Sequence, residues 1–262
     1  MGIAMSGLPD SQPSRVIPRL DGSPRAERRS RPSLEAPAVE VPAVPDALTT
    51  AERVRRLVNI VLAAVALVLV LPMLALIALV IKLTSRGPVF YTQVRVGLDR
   101  RSNPLDATNH RRTADIGGAP FRIYKFRTMR VDAENGTGAV WASKKDPRIT
   151  FVGGFLRQYR LDELPQLINV LRGEMNIVGP RPERPTIFAE LRESIKEYPL
   201  RQRAKPGITG LAQINHHYDA CLEDVQKKVQ YDLEYLRKQG VAEDLKIMLK
   251  TIPVILFRRG GW

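Results

Sequence analysis

The longest apolar run in the chain, residues 57–81, contains one polar side chain, Asn59, and no charge. A helix of that length rises far enough to cross a hydrocarbon core of about 30 Å. A buried helix of a soluble core is seldom so long or so uniformly apolar. Two features set the run apart from a simple span. Pro72 lies past its middle, where it removes a backbone donor and clashes with the preceding turn. Basic residues flank both ends, Arg53, Arg55 and Arg56 before it and Lys82 and Arg86 after it. Equal flanks give no positive-inside asymmetry, as expected of a re-entrant membrane helix broken at Pro72 that enters and leaves on one side. A spanning helix kinked at Pro72 is the alternative.

Beyond this run the period changes. Residues 88–97 and 120–127 alternate apolar and polar positions and predict two strands that can pair antiparallel. Residues 98–118, charged and without pattern, predict a long loop, and residues 132–145 a second one with an Asn135-Gly136 turn signal. A short helix is expected over 149–159. Asp162 then reads as the N-cap of another, with Pro165 in its first turn and Arg172-Gly173 at its end. Three further helices follow over 186–198, 223–239 and 241–257. The first gathers Ile187, Phe188, Leu191 and Ile195 on one side. The last gathers Leu245, Met248, Leu249, Ile252, Ile255 and Leu256, with a kink expected at Pro253. The basic and aromatic ending, Arg258, Arg259 and Trp262, suits a membrane interface. The expected fold is α+β and mainly helical, with a small antiparallel sheet and amphipathic interfacial helices that include 186–198 and 241–257.

Composition divides the chain further. Residues 1–50 hold eight of the 20 prolines and no aromatic residue, which predicts a disordered segment. Its start lacks the charged and apolar regions of a signal peptide, and Met1-Gly2 with Ser6 fits the loose myristoylation pattern no better than chance. A membrane-inserted part over 51–86 and a cytoplasmic part over 87–262 complete the expected division. The six arginines of the first 50 residues are balanced by six acids, so the net charge of +14 belongs to the rest. A basic body implies anionic partners: nucleic acid, lipid headgroups or phosphorylated substrates. No helix-turn-helix, zinc-finger or RNA-binding motif supports the first. The single cysteine, Cys221, excludes an internal disulfide, favours a reducing compartment and reads as a buried inert thiol.

Candidate chemistry concentrates in residues 146–183. Asp162 and Glu163 are adjacent, and Arg148, Arg157, Arg160, Arg172 and the Gly179-Pro180-Arg181-Pro182 run surround them. Neighbours on a helix point about 100° apart, so the two acids suit separate tasks, one attacking and one holding a metal ion or a proton. Guanidinium groups and helix N–H groups suit a phosphate ester. The bland reading is a capping Asp162, a solvated Glu163, and arginines facing solvent or headgroups. Spacing alone favours it for the acids and leaves the arginines even.

Five ordered blocks, residues 82–97, 121–129, 146–150, 160–183 and 205–215, resemble the bacterial sugar transferase family, the monotopic phosphoglycosyl transferases, over roughly residues 53–257. The resemblance implies that a carboxylate attacks the β-phosphate of a UDP-sugar and releases UMP. The phosphosugar then passes to a polyprenyl phosphate such as undecaprenyl phosphate, the first membrane step of an exopolysaccharide, capsule, O-antigen or glycoprotein glycan. It matches Asp162 to the nucleophile, Glu163 to the residue associated with Mg²⁺, and Arg181 to a phosphate binder. Lys125, Arg127 and Arg157 match positions of the anionic site, and Arg148 is grouped with them. Membrane lipids as partners and the cytoplasmic face of the bacterial inner membrane follow from the same likeness, which leaves a homodimer open.

Four departures stand out. Leu71 precedes Pro72 where well-studied small members carry serine, loop 98–118 is longer, and His216-His217-Tyr218 stands where many longer members have Gly-Arg, which bears on sugar choice. The extra membrane helices of the long subfamily are not expected. Two other classes compete. A UDP-releasing glycosyltransferase needs an Asp-any-Asp motif after a Rossmann-like strand, and a noncatalytic membrane-tethered scaffold would use the charge alone.

Overall fold

The computed structural model describes residues 49–100, 117–133, 146–215 and 221–256. Residues 1–48 of the expected disordered segment, His216-His217-Tyr218, the Asn135-Gly136 turn and the basic C-terminal residues lie outside them. The last two residues of that segment, Thr49 and Thr50, cap and begin a helix instead.

Helix α1 spans Thr50–Thr84. Thr49 and Glu52 cap its start reciprocally: the Glu52 N–H donates to Thr49 Oγ1 at 3.2 Å and the Thr49 N–H to Glu52 Oε2 at 2.8 Å. The helix runs on through Pro72, so the proline does not end it as a break in the pattern would suggest. One face of α1 packs on the body, buried at Asn59, Ala63, Ile77 and Ile81 and half-buried between them. Ala63, Ala66, Leu67 and Val70 pack on Phe121, Ile123, Leu167, Val170 and Met175, and Met73, Ile77 and Ile81 pack on Phe126 and Leu156. The other face exposes Leu57, Val61, Val65, Val68, Leu69, Leu76, Leu79 and Leu83. A continuous apolar stripe facing outward is unstable in water and stable in lipid.

Both ends of α1 are fastened to the same body. Arg55 pairs with Asp244 at 2.6 Å and hydrogen-bonds to Tyr235, while Arg56 donates to the Val170 and Leu171 carbonyls. Thirty residues on, about 45 Å along a straight helix, Ser85 accepts from Arg127 Nη2 at 2.6 Å. Asn59, the lone polar residue of the apolar run, is nearly fully buried. Its Oδ1 accepts the Ile177 N–H at 2.7 Å and its amide donates to the Arg55 carbonyl.

Strands β1 (Phe90–Val96) and β2 (Pro120–Phe126) pair antiparallel, as their alternation predicts. Helix α2 (Phe151–Gln158), a 3₁₀ turn (Leu161–Gln166) and α3 (Leu167–Arg172) follow. The alternation gave no sign of the next pairing. Strands β3 (Asn176–Val178) and β4 (Gly207–Thr209) form a short parallel pair, joined by α4 (Pro185–Ser194) and a second 3₁₀ turn (Tyr198–Arg203). Helices α5 (Leu211–Asn215), α6 (Leu222–Lys238) and α7 (Val241–Leu256) close the fold, with Pro253 inside α7.

Two expectations need correction. The apolar side of α4 is buried: Phe188 and Ile195 lie in the core with Tyr198, Val229 and Leu233, so that side is not free to face a membrane. Cys221 is exposed just before α6 rather than buried. Helix α7 does present an outward apolar stripe of Val241, Leu245, Leu249, Ile252 and Leu256.

Candidate active site

The acid pair sits where three elements meet. Gly153 lets α2 approach the end of β2, because a Cβ there would lie 2.0 Å from the Thr128 carbonyl oxygen. That approach allows Arg157 Nε to donate to Thr128 Oγ1 at 2.9 Å. Arg160, at the junction of α2 and the 3₁₀ turn, adopts φ 54°, the only positive φ of a non-glycine among the described residues. The left-handed residue reverses the chain and turns the next two side chains inward, at a conformational cost that often marks functional sites. Asp162 is therefore not a helix cap: it is the second residue of a 3₁₀ turn that has no side-chain cap. Asp162 is 7% exposed and Glu163 5%, which overturns the solvated reading.

The two carboxylates differ in every other respect. Glu163 Oε1 accepts from Lys125 Nζ and from Arg181 Nη2, both at 2.7 Å. Its Oε2 has only long contacts, 3.5 Å to Arg181 Nη1 and 3.8 Å to Arg160 Nη1. Asp162 has no hydrogen-bond or salt-bridge partner among the described residues. Burial raises the pKa of both. For Asp162 it dominates, and with the neighbouring Glu163 charge it outweighs Lys125, Arg157 and Arg181 and lifts the carboxyl to about 6. For Glu163 the cations Arg181, Lys125 and Arg160 win, and the group is held well below the ordinary carboxylate range. Glu163 is thus a fixed anion, and Asp162 is a carboxylate with raised basicity and open lone pairs.

Of the sequence-predicted residues, the structure brings together Lys125, Asp162, Glu163 and Arg181, with Arg157 close enough to act on Asp162 electrostatically. It gives two others different neighbours. Arg127 Nη2 bonds to the Ser85 carbonyl and hydroxyl, tying down the end of α1. Arg148 forms a bidentate pair with Asp146, at 2.8 and 2.6 Å, that holds the Asp146 carboxyl down at about 2. No group of three or more His, Cys, Asp or Glu that could hold a metal ion occurs among the described residues. A cation that takes a single protein carboxylate and completes its shell with water and phosphate oxygens, as Mg²⁺ does, would suit Glu163. Glu163 Oε2, with its long contacts, is the oxygen available to it.

Sequence reasoning missed the support behind Arg181. Arg201, fully buried, donates to the Arg181 carbonyl at 3.1 Å and pairs with Asp232 at 2.7 Å. Lys228 holds Glu183 at 3.0 Å, and the Val96 N–H donates to the Glu183 carbonyl. Gly179 has no room for a Cβ, which would lie 2.2 Å from the Lys205 carbonyl oxygen, so the loop packs directly on the chain entering β4. Asn169 holds β2 from beneath, accepting the Tyr124 N–H at 3.1 Å and donating to the Arg122 carbonyl at 2.7 Å, which sets the height of Lys125.

The bacterial sugar transferase family model matches residues 50–258, which include every element of this site. The chain belongs to the bacterial sugar transferase family. It is 44% identical over 218 residues to the UDP-glucose:undecaprenyl-phosphate glucose-1-phosphate transferase of Escherichia coli K12, covering 81% of this chain and 43% of that protein. It is 38% identical over 203 residues to the UDP-N-acetylgalactosamine-undecaprenyl-phosphate N-acetylgalactosaminephosphotransferase of Aeromonas hydrophila, covering 78% and 44%. An exopolysaccharide production protein of Rhizobium meliloti is 35% identical over 222 residues, covering 79% of this chain and 88% of that protein. The chain thus spans less than half the length of the first two transferases. Within this family the match embraces α1 and the body together, in line with their shared core.

Proposed function

We propose that this chain transfers a sugar 1-phosphate from a UDP-sugar to undecaprenyl phosphate at the cytoplasmic face of a bacterial inner membrane, releasing UMP. The observation that carries the reading is Asp162, a buried and unpartnered carboxylate beside several cations and a neighbour held by Lys125 and Arg181. One Asp162 oxygen attacks the β-phosphorus, and the bond from that phosphorus to the bridging oxygen breaks. UMP leaves with the electron pair. A phosphate oxygen of the acceptor then attacks the same phosphorus, the Asp162–phosphorus bond breaks, and the carboxylate is regenerated. Lys125, Arg157 and Arg181 balance the charge that gathers on the phosphoryl oxygens in both displacements. The raised basicity of Asp162 improves it as a nucleophile while leaving it ionised near neutral pH.

Glu163 would hold a Mg²⁺ ion, which supplies a hard positive centre that neutralises diphosphate oxygens. One-sided membrane insertion of α1 is supported by the attachment of both its ends to one body and by its exposed apolar stripe. The relatives act on UDP-glucose or UDP-N-acetylgalactosamine, so the sugar is one of that class. The test is nucleotide release from a panel of UDP-sugars with undecaprenyl phosphate and Mg²⁺, comparing wild type with Asp162→Asn. UMP from wild type alone supports the mechanism. UDP in place of UMP moves the reaction to ordinary glycosyl transfer, and UMP from the variant removes Asp162 as nucleophile.

A further inference from the structure

Strand β1 carries a row of polar side chains that the two displacements leave unused. Its register sets Tyr91 opposite Lys125, Gln93 opposite Ile123 and Arg95 opposite Phe121. Directly opposed residues share a face of the sheet, so this row stands on the face from which Lys125 reaches Glu163. Two of its members each hold a buried polar atom without a hydrogen-bond partner, Gln93 Oε1 and Arg95 Nε. Such atoms are rare in folded interiors, because each gives up its hydration and gets nothing in return. Arg95 is used only in part: Nη1 donates to the Pro182 carbonyl at 3.1 Å. Burial pulls its pKa down to about 10, Glu183 draws it back up, and Arg181 and Arg184 oppose its charge. Lys125 feels the same guanidinium. A further cation with an idle donor is thus held close to the phosphate-binding group, although its neighbours repel it.

We propose that Gln93 and Arg95 bind the donor substrate. Arg95 Nε donates to a phosphate oxygen of the nucleoside diphosphate sugar, and Gln93 Oε1 accepts from a hydroxyl of its sugar. The assignment rests on the phosphoglycosyl transferase reading. The acceptor cannot fill the second role, since an ionised polyprenyl phosphate brings phosphate oxygens and hydrocarbon but no hydroxyl. The sugar is the fitting part of the donor, because Gln93 lies two residue pairs along the sheet, and next on the same face, from the Tyr91–Lys125 pair, whose Lys125 reaches the acid pair where the transferred group must sit.

The experiment uses the full chain in detergent, with calorimetric titration of UDP and of UDP-glucose, UDP-galactose, UDP-N-acetylglucosamine and UDP-N-acetylgalactosamine in Mg²⁺, alongside thermal melting and turnover. Gln93→Met keeps the length of the side chain and removes the idle oxygen. It is expected to weaken the best-bound UDP-sugar about tenfold or more, to leave UDP within twofold, and to melt no lower than wild type without ligand. Arg95→Lys keeps the charge and removes Nε. It is expected to weaken UDP and the UDP-sugar alike, about tenfold, with the KM for undecaprenyl phosphate unchanged. Equal loss of UDP and UDP-sugar in Gln93→Met, a lower melting point with unchanged binding, or a raised acceptor KM in Arg95→Lys would overturn the assignment. If both variants lose binding as expected but wild type releases no UMP, the site stands and the catalytic reading falls. If wild type releases UMP and neither variant alters binding, only the site falls. A wild type that binds no UDP-sugar sinks both.

Discussion

Two buried charge clusters flank the Pro180–Glu183 loop, and they are built differently. Behind the loop, Arg201 and Lys228 face Asp232 and Glu183, two cations against two acids, and Arg201 is further satisfied by the Tyr198 hydroxyl and the Arg181 carbonyl. In front of it, Lys125, Arg157, Arg160 and Arg181 gather around Asp162 and Glu163, and Asp162 has no direct partner among the described residues. The first cluster is closed, so its contribution is structural. Among those six groups the second has four cations against two acids with one carboxylate open, an arrangement that a dianionic substrate completes. A buried group without a partner is costly in a scaffold and useful in a site.

The largest effect that would sharpen this contrast is on turnover. Asp162→Asn should lower UMP release by about 10³-fold or more, while Asp232→Asn should leave per-molecule turnover nearly intact in the fraction that folds. Stability should invert the order. Breaking the Arg201–Asp232 pair from one side should cost about 3–5 kcal/mol, measured by chemical denaturation, because it strands a buried charge. Replacing both by apolar residues, Arg201→Met with Asp232→Leu, should recover much of that loss. Asp162→Asn should melt at or above the wild-type temperature at pH 7.5, since it removes the burden of an unpaired buried charge. If Asp162→Asn unfolds the protein and Asp232→Asn does not, the contrast is wrong.

Titration provides a second test. The pKa of Asp162 is raised to about 6, so turnover should fall as pH drops through about 6. Stability should move the other way over that window. The folded protein takes up a proton on Asp162 before the unfolded chain does, so this group makes the protein more stable between about pH 6 and its ordinary value of 3.8. Glu163 and Glu183 have depressed values, the latter about 2. Their stabilisation is present above the ordinary glutamate value of 4.5 and is lost as pH falls toward their folded values. Melting temperature in Asp162→Asn should therefore lack the rise between pH 7 and 5 and keep the acid-side fall. A variant with the wild-type profile would show that Asp162 is not the group involved.

Much of this was legible in the chain and some was not, for identifiable reasons. Period 2 in residues 120–127 located β2 because Phe121 and Ile123 lie over the core, while in β1 the same period is kept with Phe90 and Val94 exposed and the polar Gln93 and Arg95 half-buried. Three-residue strands such as β3 and β4 are too short to display any period. The adjacency of Asp162 and Glu163 was visible, but their inward orientation depends on a left-handed backbone at Arg160, where no glycine advertises it. Arginines were the hardest to read. Arg201 lies in a polar stretch, Tyr198–Arg203, yet is completely buried, because its partner Asp232 is 31 residues away on α6. Arg127 and Arg148 look from the sequence like members of the site, and in the fold Arg127 bonds to the end of α1 and Arg148 to Asp146.

The smallest effect concerns the apolar helix. Asn59 is the one polar residue in residues 57–81, and the bland reading of such a residue is a tolerated blemish. In the fold its Oδ1 accepts the Ile177 N–H at 2.7 Å, so it holds the β3 end of the Pro180–Glu183 loop to α1. Asn59→Leu suits lipid better but leaves that N–H unmet in a dry interior. It should cost about 1–3 kcal/mol in detergent-solubilised protein, with turnover close to wild type at temperatures where the protein stays folded. A stabilised Asn59→Leu would mean that lipid compatibility outweighs the bond. Lost turnover at full stability would mean that α1 sets the position of Arg181, and that the boundary between scaffold and site lies within the helix rather than at the loop.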